Sequence, residues 1–354
     1  MTYGLETYTS SGVTSFTSST KSFGIYDVFV APRQTASGSK AYPELAGDQI
    51  EIQIVNSRGT GWSASTLPYN FSISYSAGYP VISYVWNYSY FLAGAFFPDQ
   101  YVYVILKTRV SSGYGFEVTN SDLEIVSSDI TANYKYLGQA NVTSNVQPNI
   151  YVDYLMSCNI TTSGGVPVIF IENLENQLAT VVNLVASGSN YTITINKTGS
   201  AVPRVFCFER STATPTGYGL AVYNASSSLL MDTTNNLLAP KCYCNSIIPS
   251  TAMSGAGTPF YTFPSTSLLT PSGTIPSSVA TCITANAFYG GETNQSGNRY
   301  MKDASLSVKK QSGSLYTGWV LSNFNNLPYD TFYPISINSS VTFRIYSIDI
   351  TQYT

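Results

Sequence analysis

Tyr3-Gly4-Leu5-Glu6-Thr7-Tyr8, continued by Thr9-Ser10-Ser11-Gly12-Val13-Thr14-Ser15-Phe16, decides the fold, because its pattern occurs three times in the chain. The second copy is Tyr114-Gly115-Phe116-Glu117-Val118-Thr119, then Asn120-Ser121-Asp122-Leu123-Glu124-Ile125-Val126. The third is Tyr218-Gly219-Leu220-Ala221-Val222-Tyr223, then Asn224 and, after several serines, Leu229-Leu230-Met231-Asp232. In each copy Tyr-Gly opens a strand with alternating apolar residues. A polar Asn/Ser/Asp/Gly turn follows, then a second short strand, which is the pattern of a β-hairpin.

The copies start 111 and then 104 residues apart (114 − 3 and 218 − 114), and the third runs 136 residues past Tyr218 (354 − 218). Such units are longer than solenoid repeats of about 20–50 residues and match a β-sandwich of about 100 residues. The reading is therefore all-β, with three tandem antiparallel β-sandwich domains at 1–112, 113–216 and 217–354. The third carries a long loop insertion over 249–278, rich in Ser, Thr, Pro and Gly. Ser111-Ser112-Gly113 and Thr212-Ala213-Thr214-Pro215-Thr216-Gly217 are small, polar runs suited to junctions.

Individual strands are legible inside the units. Ile50, Ile52 and Ile54 alternate with Glu51 and Gln53, and Tyr191, Ile193 and Ile195 alternate with Thr192 and Thr194. The run 166–171 is continuously apolar and predicts a central strand covered on both faces. The run 101–106 is apolar on both faces, and the pattern does not choose which face is outer. Val341, Phe343 and Ile345 share one parity while Tyr346, Ile348 and Ile350 share the other, so a bulge near 344–347 is expected to turn all six inward.

Composition narrows the chemistry. The 354 residues include no His, so Ser-His-Asp catalysis and His-ligated metals are excluded. Sixteen Lys and Arg against 19 Asp and Glu leave a net charge of −3, which argues against a basic face for nucleic acid. Hydrophobic residues at 44% support collapse into packed cores. No stretch approaches the roughly 18 apolar residues of a membrane span, and the first residues lack the pattern of a secretory leader. The five cysteines, Cys158, Cys207, Cys242, Cys244 and Cys282, have no zinc-site spacing and read as buried free thiols of a chain made in a reducing cytoplasm.

The tripled YGLE-type opening resembles the start of a family of small phage tail modules. Those modules continue with a GTPF-like strand start, and Gly257-Thr258-Pro259-Phe260 matches it. Gly165-Val166-Pro167-Val168 is similar, while Gly47-Asp48-Gln49-Ile50 departs from it. The resemblance covers the first 30 or so residues of each unit and one inner strand. It implies a virion protein of the tail or tail fibre, made in the host cytoplasm, with other virion proteins as partners. It supplies no catalytic residues and no cofactor.

Carboxylate pairs are the catalytic chemistry left open, since glycoside hydrolysis needs two carboxyls flanking one bond. Glu172 with Glu175 and Asp48 with Glu51 are close in sequence, but read as charges at strand edges and turns. Lys302, Asp303, Lys309 and Lys310 read as a solvated strand end. Asn286 to Gly291 reads as a strand end running into a turn. The candidate interface is the aromatic run containing Tyr84, Trp86, Tyr88, Tyr90 and Phe91. Three uses of these rings stay open: filling the first sandwich, a subunit interface, or stacking on glycan. Aromatics at 14% against charged residues at 10% favour a homo-oligomer. The functional expectation is a non-enzymatic tail component acting by protein–protein contacts, with host-surface glycan or protein as a further partner. A head decoration protein and a tail-borne polysaccharide depolymerase are the alternatives.

Overall fold

The chain is seen in a computed structural model that describes residues 6–8, 14–17, 24–32, 37–55, 69–86, 99–110, 117–119, 125–128, 130–147, 153–163, 165–211, 220–223, 226–227, 229–245, 266–282, 287–295, 298–327, 336–337 and 344–354. The first unit opens with β1 (Glu6–Tyr8) and β2 (Thr14–Thr17). β3 (Ile25–Ala31), β4 (Gly38–Ala41), β5 (Gln49–Val55), β6 (Tyr69–Ser76), β7 (Tyr79–Trp86) and β8 (Gln100–Thr108) follow. They form two antiparallel sheets, β3-β8-β5 and β4-β7-β6. The isoleucines of β5 point between the sheets with Phe71, Ile82, Val102, Val104 and Leu106, as the alternation over 49–55 predicts, but the strand is not half-buried: Gln53 and Val55 on its other face are buried too, against the central core.

The second unit contains β9 (Glu117–Thr119), β10 (Ile125–Ser128), β11 (Tyr134–Gln139), β12 (Asn141–Val146), β13 (Tyr154–Thr161), β14 (Val168–Glu172), β15 (Ala179–Ser187), β16 (Asn190–Lys197) and β17 (Val205–Arg210). The third contains β18 (Ala221–Tyr223), β19 (Leu229–Asp232), β20 (Cys242–Asn245), β21 (Ser267–Leu268), β22 (Val279–Cys282), β23 (Ala287–Gln295), β24 (Asn298–Gln311), β25 (Ser314–Leu327), β26 (Ser336–Ile337) and β27 (Arg344–Asp349). Both repeat the first unit's strand order. The order β3-β8-β5 recurs as β11-β17-β14 and as β20-β27-β22. The order β4-β7-β6 recurs as β13-β16-β15 and as β21-β25-β24. In every unit the last strand returns to the centre of the inner sheet. β12 in the second unit, and β23 and β26 in the third, are additions to this plan.

The three opening hairpins share one register. Glu6 faces Thr17, Thr7 faces Phe16 and Tyr8 faces Thr14, separations of 11, 9 and 6 residues (17 − 6, 16 − 7 and 14 − 8). The same three separations hold for Glu117–Ser128, Val118–Ser127 and Thr119–Ile125, and for Ala221–Asp232, Val222–Met231 and Tyr223–Leu229. Each hairpin thus carries the same irregularity at the same place. The outer hairpins also correspond, each closing through two residues: Ser76 faces Tyr79, Ser187 faces Asn190 and Gln311 faces Ser314. Ala77 (φ 48°) and Gly78 (φ 85°), like Ser312 (φ 50°) and Gly313 (φ 79°), take the paired positive φ of a tight hairpin turn that matches strand twist.

The second and third units are joined through hydrogen-bonded sheets. β14 pairs with β22 through Ile171–Thr281 and Glu172–Ala280, and β15 pairs with β24 through Ala179–Val308. The inner sheets merge into six strands, β11-β17-β14-β22-β27-β20, and the outer ones into nine. The division at 216/217 therefore separates two sets of equivalent strands but not two sheets: each edge strand finds backbone partners in the other unit. Among the described residues no two named strands pair across 112/113. There the link is an isolated bridge between Ile25 and Ala132 and a shared core.

That central core takes Tyr103 and Ile105 from the first unit, Phe170, Phe206 and Phe208 from the second, and Cys282, Tyr346 and Ile348 from the third. β8 consequently buries both faces, one in its own sandwich and one here, which answers the question its sequence leaves open. β14 lies between β17 and β22 with Val168 to Ile171 buried, as its continuous apolar run predicts. β27 corrects an expectation. Its pairing with β20 and β22 shows no register shift, so there is no bulge at 344–347. Ile345 instead enters a small core with Leu269, Val308 and Leu315, while Tyr346, Ile348 and Ile350 enter the central one. The parity change reports two cores on two faces. A second correction concerns Phe288 to Gly291, which lie within β23, with Gly290 facing Asp303 and Gly291 facing Lys302 in β24, and not at a turn. Lys309 and Lys310 stand at the end of β24, as their sequence position predicts, while Lys302 and Asp303 lie within it. Most of the 249–278 insertion, residues 249–265, lies outside the described residues.

Candidate functional site

The aromatic candidates sit on and after β7, the central strand of the first unit's outer sheet. Tyr84 faces Gly38 of β4 on one side and Phe71 of β6 on the other. Its ring is half-buried, with ring centres 6.1 Å from Phe71 and 6.2 Å from Phe29. A Cβ on Gly38 would lie 2.4 Å from the Tyr84 hydroxyl, so the missing side chain is what lets the ring lie across β4. Tyr84 thus packs, half-buried, against its own sandwich, one of the three uses its sequence leaves open. Trp86 ends β7 opposite Tyr69. Tyr88, Tyr90 and Phe91 lie outside the described residues. Val85, between Tyr84 and Trp86, is exposed.

Beside this sheet, β3 and β4 assemble a polar and aromatic cluster that sequence spacing did not single out. Lys40 donates to the Asp27 carboxylate at 2.5 Å, and the Tyr42 hydroxyl donates to the same oxygen at 2.8 Å. The Tyr26 hydroxyl donates to Glu44 at 2.8 Å, and the Tyr26 and Tyr42 rings meet edge to face. The Lys40 ammonium lies 5.1 Å from the Phe29 ring centre, a cation–π distance. Burial and the neighbouring carboxylates push both tyrosine hydroxyls up, so they remain donors. Tyr42 is buried with the core of the first unit and Tyr26 packs against it, so the cluster fastens the segment after β4 to β3.

The carboxylates weighed for catalysis are each engaged separately. Glu172 is gripped by Arg204 through two parallel bonds of 3.1 and 2.9 Å and also accepts from the Arg204 amide. Burial raises its pKa, but these bonds outweigh burial and hold the carboxyl below its usual value, opposite to what a general acid needs. Glu175 accepts from the Ser312 amide at 2.7 Å, capping the β24–β25 turn. Asp48 accepts from the Val110 amide at 2.7 Å. Lys310 donates to the Ser277 carbonyl, and the Lys309 ammonium lies over the Tyr316 ring. The side chains of Lys302 and Asp303 lie outside the description.

Glu51 belongs to a different arrangement, which no spacing in the sequence signals because two of its partners, Arg344 and Tyr346, lie nearly 300 residues away. Its carboxylate is 3.7 Å from the Lys107 ammonium and 3.3 Å from Arg344 Nε, and it accepts from the Tyr346 hydroxyl. The Arg344 guanidinium lies 3.9 Å from the centre of the Tyr243 ring, and Gln53 donates to the Arg344 carbonyl at 2.6 Å. These groups fasten β5 and β8 of the first unit to β20 and β27 of the third. A second buried cation, Lys197, is held by the carbonyls of Gly199 and Ala201 at 2.9 and 2.8 Å and lies over the Tyr154 ring.

All five cysteines are buried free thiols, and burial pushes Cys158, Cys244 and Cys282 up to about 12. No group of three or more Cys, Asp or Glu suited to a metal occurs among the described residues. Among them, too, no helix is long and apolar enough to cross a membrane. No protein-family model, curated protein or solved structure matches the chain.

Proposed function

We propose that the chain is a structural protein of a phage virion, a component of the tail or tail fibre that works through protein–protein contacts. The observation that carries this reading is the threefold module. YGLE-type openings lead into three hairpins of one register and three sandwiches of one strand order. Repetition of one module within a chain suits a part that docks onto a symmetric assembly. The separate engagement of Glu172 and Glu175 favours this reading over a tail-borne depolymerase.

Mass spectrometry of purified particles, with copy number, tests the proposal. The expected result is this chain at a fixed stoichiometry in tails separated from heads. Its absence from particles overturns the reading, and its presence in heads alone transfers it to head decoration. Release of reducing sugar from host polysaccharide by the pure protein would replace the structural role with an enzymatic one.

A further inference from the structure

In each inner sheet the first strand, β3, β11 or β20, pairs with one strand of its own sandwich and meets a further segment on its other side. For β3 and β11 that segment belongs to the next unit. The Ala132 amide donates to the Ile25 carbonyl at 2.8 Å, and the two residues form an antiparallel bridge. The Tyr136 amide donates to the Asn236 carbonyl and the Leu238 amide to the Tyr134 carbonyl, both at 2.7 Å, around an antiparallel bridge between Lys135 and Leu237. The covering segments are equivalent. Ser128 and Asp232 close the second and third opening hairpins in one register, and each accepts from the amide three residues on, Thr131 and Asn235. Four residues past each hairpin stand Ala132 and Asn236 (132 − 128 and 236 − 232). Units thus chain head to tail: the stretch behind one opening hairpin covers the first inner strand of the unit before it.

β20 is covered differently, by its own unit's connection between β21 and β22. Ser272 serves both backbone polar groups of Tyr243: its amide donates to the Tyr243 carbonyl at 2.8 Å, and its hydroxyl accepts from the Tyr243 amide at 3.2 Å. Pro271 forms an antiparallel bridge with Cys244. Leu269 anchors the connection, with its amide on the Leu315 carbonyl and its side chain in the core of Cys244, Val308 and Ile345. The connection has ten residues, 269–278, against seven (42–48) and six (162–167) in the first two units. Among the described residues, those shorter connections make no backbone bond to β3 or β11.

We propose that residues 269–278 are a strap that closes the chaining edge of the third unit, so that β20 does not accept a further unit of the same kind. Head-to-tail contacts between copies grow into open series wherever their rotation does not close a ring. The strap stops that growth. Pro271 has no amide to pair outward, and a proline at an edge is one of the devices that block strand addition. The unit excluded is the first unit of a second copy, whose opening hairpin has the register of the two that chain within the molecule.

Sedimentation of the full chain up to roughly 100 µM, with hydrogen exchange over 241–245, tests this. The parent is expected to form no open series. Ser272→Pro removes the donating amide and the accepting hydroxyl together, so the Tyr243 amide should exchange about tenfold faster. That variant should also add copies progressively with concentration, with protection over 241–245 returning as it does. Ser272→Ala removes only the hydroxyl and should show both effects more weakly, which carries the test if the proline variant does not fold. An open series in the parent, unchanged exchange at Tyr243 in the variants, or a folded variant with a fast Tyr243 amide that adds no copies overturns the proposal. Particle composition is read separately, so any of these results in a chain found in tails overturns the strap alone, and a strapped chain absent from particles overturns the virion role alone.

Discussion

Glu51→Gln is expected to loosen the first unit from the third. The carboxylate lies 3.3 Å from Arg344 and 3.7 Å from Lys107, and the three side chains are only 12, 20 and 9% exposed. Unit charges about 4 Å apart attract by about 4 kcal/mol at an effective dielectric constant near 20. Desolvation offsets much of that in the intact cluster. Removing the anion leaves both cations facing each other in a largely buried site, for which the expected loss is about 3 kcal/mol. The amide keeps an acceptor for the Tyr346 hydroxyl, so the change isolates charge from hydrogen bonding. Lys107→Met in the same chain removes one of the two cations and should recover about 1–2 kcal/mol. Urea unfolding of the two variants and the parent measures both quantities. A loss below about 1 kcal/mol, or no recovery in the double variant, would show that solvent screens the cluster and refute the argument.

Three further outcomes follow from the same geometry. Arg204→Met should flatten the acid limb of stability against pH: Glu172 has a folded pKa below its unfolded value of about 4.3, so its contribution is present above that pH and is lost as pH falls through the lowered value. Equal acid limbs in parent and variant would show that the fork does not hold the carboxyl down. The native protein should react with a thiol reagent such as dithionitrobenzoate only after unfolding, because all five thiols are buried, and rapid labelling of the folded chain at pH 8 would contradict this. Gly38→Ala should cost about 1–3 kcal/mol by driving Tyr84 out of its place, read as a lower urea midpoint, whereas an unchanged midpoint would mean the ring yields freely.

Local patterns were legible because they obey local rules. The three hairpins follow from Tyr-Gly openings and polar turns, whose preferences act over a dozen residues. Burial of β14 on both faces followed from its uninterrupted apolar run. The parity change at 345–346 was visible too, but its meaning was not: a bulge and a strand serving two cores leave the same trace in a sequence. Tyr84 shows the same limit at the candidate site. Its neighbours in sequence, Val85 and Trp86, suggested a contact run, while Gly38, 46 residues earlier, opens the space that takes its ring inward (84 − 38).

By itself, then, the sequence determined that the chain is all-β, that one module recurs three times, and that each recurrence opens with the same hairpin, since period-two burial and turn chemistry are properties of neighbouring residues. Only the tertiary structure decided how the modules meet. The pairing of β14 with β22, the second face of β8, and the grip of Lys107 and Arg344 on Glu51 depend on which edges and charges arrive side by side from distant parts of the chain. Hydrogen bonding along an open edge and the attraction of buried charges are set by distance in space, which spacing along the chain does not encode.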